Sequence, residues 1–153
     1  MSARIATFSH WYDPEGGAAP GPGTIARAVR DRGHDVHVVT DFPHYPTGTV
    51  FPGYSVRPYR REILGGVTIH RSAVSPSRDT GAFNRRASYL SFAFSGAADG
   101  VPRLPQVDVG FIYSTPATAA IPGMVLRPTR RATTHHPNRH QTRALPTRMV
   151  TDE

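Results

Sequence analysis

The chain has no cysteine, which closes off both a disulfide framework and thiolate chemistry. Lysine is absent too, so all 18 basic residues are arginine. No apolar run reaches the roughly 18 residues of a membrane-spanning helix. The opening MSARIATFSHWYDPEGG lacks the apolar stretch of a secretory leader. These absences place the expected protein in the cytoplasm and leave open a peripheral contact at the inner face of the membrane. Apolar content is 38%, below the about 45–50% of ordinary globular chains. Some of the 153 residues are therefore expected not to be packed structure.

What is abundant is proline (15), glycine (14) and positive charge, with a formal net of +7. A basic chain invites a nucleic-acid reading. Phosphate recognition gives no reason to exclude lysine, however, and an all-arginine inventory looks like the codon bias of GC-rich DNA. The excess is also uneven: residues 1–124 carry 12 arginines against 9 acids, and residues 125–153 carry 6 against 2. No nucleic-acid partner is expected.

The apolar patterning predicts an α/β fold. RIATFS reads as a strand. TIARAVRDRGHDV reads as a helix with Ile25, Ala28, Val29 and Arg32 on one face, Thr24 as N-cap and Gly33 as stop. DVHVVTD reads as a second strand, which completes a βαβ unit and implies a parallel sheet. YRREILGGVTIHRSAV reads as a hairpin turning at Gly65-Gly66. GAFNRRASYLSFAFSGAADG is helical, and its apolar residues surround most of the axis. With Arg85 and Arg86 ahead of Tyr89 to Phe94, it suits either an anionic bilayer surface or a place against the sheet. VDVGFIYSTP is a further strand and ATAAIPGMVL starts a helix. From Val125 the text RPTRRATTHHPNRHQTRALPTRMVTDE has three prolines, no aromatic residue and no periodicity, so 125–153 is expected to be a disordered basic tail.

Several chemistries fail on spacing. GPGTIA, Gly21 to Ala26, fits the dinucleotide pattern G-x-G-x-x-A, with Asp41 where a ribose ligand would stand. About a dozen residues separate it from the first strand, and Pro22 removes an amide donor. His135, His136 and His140 lie in the arginine-rich tail without a neighbouring carboxylate, so no metal site is expected there. The pair Gly16-Gly17 is better placed, in the loop off the first strand, where it is either a backbone approach to a phosphate or sugar or simply a flexible loop. The loop DFPHYPTGTVFPGY, residues 41 to 54, is loaded with aromatics and either flanks a binding cleft or lids the core.

Taken in order, DPEGG, RGHDVHVVTDFPHYPTG, FPGY, YRREILGGVTIHR, RRASYLSFAFS and VDVGFIYSTP resemble the N-terminal domain of family-4 glycosyltransferases of GT-B fold. The likeness is nearest to the branch that assembles bacterial surface polysaccharides, such as colanic-acid and fucosamine transferases. It covers residues 3 to about 124. The resemblance implies a Rossmann-like, acceptor-side domain at residues 1–124, with helices flanking a parallel sheet. It also implies a nucleotide-sugar donor, a lipid-linked glycan acceptor, and no metal or other cofactor. It puts Gly16 and Gly17 near the donor phosphates and transferred sugar, and His44, Tyr45, Ser114 and Thr115 on the acceptor side. It assigns no catalytic base. The family's next strand, its QDLWP-like stretch and its donor domain do not follow Met124. The expectation is therefore a truncated or frameshifted member, inactive alone, with a non-catalytic or vestigial fragment and a small nicotinamide-dinucleotide module as the alternatives.

Overall fold

The computed structural model describes residues 2–15, 21–75, 82–113, 117–130 and 133–135. β-Branched residues suit the pleated, crowded interior of a sheet, and the apolar runs of this chain form one. Strand β1 (Arg4–Phe8) leads through helix α1 (Gly21–Asp31) to β2 (Asp35–Asp41). Strands β3 (Tyr59–Leu64) and β4 (Val67–Ser72) form the expected hairpin. Gly65 and Gly66 both take positive φ, 55° and 75°, the backbone of a tight two-residue turn. Helix α2 (Ala82–Ser95) continues into a π-helical turn at Gly96–Gly100 and a 3-10 turn at Val101–Arg103. Strand β5 (Val109–Ile112), helix α3 (Ala120–Arg130) and the short strand β6 (Thr133–His135) follow.

The six strands form one sheet in the order β3-β4-β2-β1-β5-β6. Every pairing is parallel except β3 with β4. The fold is thus α/β with a mostly parallel sheet, mixed at one edge.

Side chains alternate between the two faces of each strand, and each face has its own cover. Val36, Val38, Val67 and Ile69 join Ala26 of α1 and Tyr12 on one side. Ala6, Phe8, Val39 and Ile112 join Val101, Leu104, Val107 and Leu126 on the other. Each large aliphatic or aromatic side chain so buried contributes about 1.5–3 kcal/mol. The approach on the second side is close. A Cβ on Gly100 would stand 2.7 Å from Val39 Cγ1, and one on Gly123 would stand 2.7 Å from Ile112 Cδ1.

Two expectations need correction. Helix α1 starts at Gly21 rather than after a Thr24 cap, because Pro22 carries a φ already suited to a first helical turn. Its stop at Gly33, φ 87°, is as expected, with Gly33 N–H donating to Arg30 O at 2.8 Å. The second correction concerns the boundary at residue 124. Helix α3 runs through it to Arg130, with Leu126 wholly buried, and β6 pairs with β5 beyond it. The expected tail is therefore ordered secondary structure at these positions, and its remainder lies outside the described residues. On α2, Ser88, Phe92 and Ala93 face inward, in line with the reading that sets this helix against the sheet, while Leu90 and Phe94 remain 46% and 71% exposed. Among the described residues, no helix is long and apolar enough to cross a membrane.

Candidate functional site

In a parallel sheet every strand ends on the same edge, and the loops leaving that edge meet there. Here the loop off β1, SHWYDPE, meets the aromatic loop off β2. Glu15 joins them. Its Oε1 accepts the backbone N–H of His44 at 2.7 Å and of Tyr45 at 2.8 Å, and its Oε2 accepts that of Tyr12 at 3.3 Å. Burial raises the proton affinity of Glu15, and the three amide donors oppose that rise.

The aromatic loop is both lid and surface. Phe42 is wholly buried against Val74, Phe92 and Ala119, and His44 is buried beside it. Turn bonds from Gly48 N–H to His44 O (2.7 Å) and from Phe51 N–H to Pro43 O (2.9 Å) fold the loop back on itself. Tyr45 faces outward, 42% exposed, with its ring 5.1 Å from that of the half-buried Trp11 and tilted by 34°. The result is an aromatic pair contributed by two loops at the carboxyl edge of the sheet.

Behind the pair lies a sealed polar cluster. His10 Nδ1 is 3.2 Å from Asp41 Oδ2, and His44 Nδ1 is 3.7 Å from the same oxygen. His44 Nδ1 also lies 2.9 Å from Phe42 O. Tyr89 of α2 meets the His10 ring edge-on at 5.0 Å, and Phe92 lies 5.2 Å from it. Burial, helped by the neighbouring His44, drives the His10 pKa down to about 3, so the ring is neutral. Burial and the nearby Glu15 push Asp41 well above the usual carboxylate range, and Arg71 opposes them. At 3.2 Å the two are therefore not an ion pair: each disfavours its own charge.

Arg71, on the opposite side of the sheet, fixes the backbone of both loops. Its guanidinium donates to Asp41 O at 2.8 Å, to Asp13 O, and to Glu62 of β3 at 2.5 Å, with the Tyr54 ring 5.0 Å away. Asp13 is held in turn by Arg27 of α1 and lies over Gly23, where a Cβ would stand 2.8 Å from Asp13 Oδ2. Glycine at that point lets the loop lie directly on the helix.

Of the residues expected at the site, His44 and Tyr45 are brought to one edge of the sheet, His44 inward and Tyr45 outward. Gly16, Gly17, Ser114 and Thr115 lie outside the described residues. Asp41 is wholly buried, which leaves it no surface to offer a ribose, and Gly21 packs under the Tyr113 ring. His10, Trp11, Glu15 and Arg71 were not singled out by sequence. His10 and Glu15 had a readable signal, as polar residues in the loop directly off the first strand. Comparison with protein-family models gives no match for this chain, and comparison with curated proteins gives none either.

Proposed function

We propose that this chain provides the acceptor-side domain of a GT-B glycosyltransferase, an N-terminal Rossmann-like unit. The reaction class is transfer of a sugar from a nucleotide-sugar to a lipid-linked surface-glycan precursor. The observation that carries this reading is the Trp11–Tyr45 pair, clamped through Glu15 at the carboxyl edge of the sheet. An exposed aromatic face there offers a sugar ring an apolar surface, and the backbone of both loops is held in advance, which lowers the cost of binding. The sequence resemblance over residues 3 to 124 supports the same reading. The outward face of α2, with exposed Leu90, Phe94 and Arg86, is suited to meeting the lipid of such an acceptor at an anionic membrane surface.

Trp11 is the chain's one tryptophan, so its fluorescence reports on this site alone. The test is titration of the protein with nucleotide-sugars, with glycan fragments and with a nicotinamide dinucleotide. A saturable change with a glycan or nucleotide-sugar that disappears in Tyr45→Ala is the expected result. No response to any sugar, or a saturable response to the dinucleotide alone, overturns the reading.

A further inference from the structure

The cluster behind the aromatic pair has more ligand atoms than partners. Asp41 is wholly buried, and neither of its carboxylate oxygens has a hydrogen-bond partner among the described residues. His10 Nδ1 is likewise buried without one, although it faces Asp41 Oδ2. An isolated polar group of this kind normally costs a fold several kcal/mol, and native structures keep such groups for a reason. One ring nitrogen from each of His10 and His44 and one oxygen of Asp41 all lie within 4.8 Å of one another.

We propose that His10, Asp41 and His44 form a binding site for a divalent transition-metal ion of the zinc class. Donor atoms around a tetrahedral zinc stand about 3.4 Å apart, given bonds of about 2.1 Å. The separation of 3.2 Å from His10 Nδ1 to Asp41 Oδ2 is close to that figure, and one ligand atom of each of the three residues lies within 4.8 Å of the other two. Two imidazoles and one carboxylate suit zinc, cobalt or iron, whereas magnesium and calcium want oxygen donors. A bound cation gives the buried Asp41 carboxylate its counter-charge and takes the lone pairs that nothing else uses.

The surroundings fit as well. His44 Nδ1–H donates to the Phe42 carbonyl at 2.9 Å, the kind of outer bond that orients an imidazole and leaves its other nitrogen, Nε2, as the one to bind a metal. Arg71 holds the Asp41 main chain through its carbonyl at 2.8 Å, which fixes the residue from the other side of the sheet. Glu15 is already committed to three backbone amides, so three protein ligands are available and a fourth position remains for water or a ligand oxygen. His44 precedes the exposed Tyr45 in the same loop, so the cluster lies beneath the surface proposed to take sugar. The site stands on these residues whether or not that surface binds sugar.

The experiment uses the full chain, stripped of metal with a chelator and titrated with Co²⁺, whose visible absorption reports coordination directly. One equivalent of cobalt with d–d bands, displaced by Zn²⁺ and accompanied by a higher melting temperature, is the expected result. Asp41→Asn and His10→Gln should each weaken cobalt binding by at least about 100-fold, the upper end of what loss of an outer-shell partner costs. Replacing His135, His136 and His140 with alanine should leave it intact. Circular dichroism identifies any variant that fails to fold, in which case His44→Gln decides. Folded wild type that takes up no cobalt overturns the proposal. So does binding that survives Asp41→Asn, or binding lost with His135, His136 and His140. The absorbance readout is independent of the tryptophan signal, so failure here and failure of the sugar reading are distinguishable.

Discussion

Arg71 donates from Nε to Glu62 Oε1 at 2.5 Å, a diagonal pair across the β3–β4 hairpin, from a side chain with no exposed surface. The same guanidinium bonds the carbonyls of Asp41 and Asp13. Removing it takes away the buried partner of Glu62, which keeps only Arg60 at 3.4 Å and the Tyr54 hydroxyl at 3.3 Å, and breaks the two bonds to main-chain carbonyls. Arg71→Met should therefore cost about 3–5 kcal/mol in urea unfolding. The double change Arg71→Met with Glu62→Leu should cost less than the single one, because no largely buried carboxylate is left without its closest counter-charge. A loss below about 1 kcal/mol for Arg71→Met would show that this pair does not hold the loops.

Leu126 lies past the point where the sequence stops looking patterned, yet it belongs to the same core cluster as Phe8, Val39 and Ile112. Leu126→Ala should lower stability by about 2–5 kcal/mol through lost burial and the cavity left behind. Met124, 64% exposed two residues earlier, should tolerate alanine within about 0.5 kcal/mol. Equal, negligible effects at both positions in chemical denaturation would place residue 126 outside the cooperative unit.

Acid should destabilise the fold through its buried histidines. Burial, with His37 beside it, takes the His70 pKa down to about 4, while the unfolded ring takes its proton near the ordinary 6.5. His70 Nε2 is 3.0 Å from His37 Nδ1, and its Nδ1 is 2.8 Å from the Tyr59 hydroxyl. Between these pH values the unfolded chain binds the extra proton, so stability present above pH 6.5 is lost as pH falls towards 4. The loss from this group is at most about 3 kcal/mol. His10, lowered to about 3, continues the trend further into acid. Asp41, raised by burial, has the opposite sign, and its contribution fades as pH rises through its elevated value. Melting temperature followed from pH 7 to pH 4 should fall, and His70→Gln should make that slope shallower. An unchanged slope in the variant would remove His70 from the account.

The parts of this fold that repeat with a clear period were legible. β1, α1, β2 and the hairpin announce themselves because Val36, Val38 and Val39 crowd one strand and two adjacent glycines supply the positive φ angles a tight hairpin turn needs. The end of α3 was not legible. Its inward positions, Pro122, Gly123 and Leu126, keep helical spacing, but a proline and a glycine disguise them as turn text. The candidate site was half legible. Tyr45 stood out as an aromatic in a loop, whereas Asp41 was legible only as the end of a strand, in a dinucleotide pattern that fails on spacing. Spacing places a residue at a strand end but does not say what will cover it. The cover comes from Tyr89 and Phe92, some fifty residues further along the chain, which bury His10 beside it.

The hairpin has a consequence for how the protein meets its own kind. Its outer strand, β3, is the sheet's margin, and it presents Arg60 and Arg61 in succession next to the open backbone groups. An incoming strand seeking to extend the sheet there would meet one guanidinium group on each face, and a second copy of β3 would add one more to each. Templated growth from that margin is thereby discouraged by charge, in the same strand whose next residue, Glu62, holds Arg71.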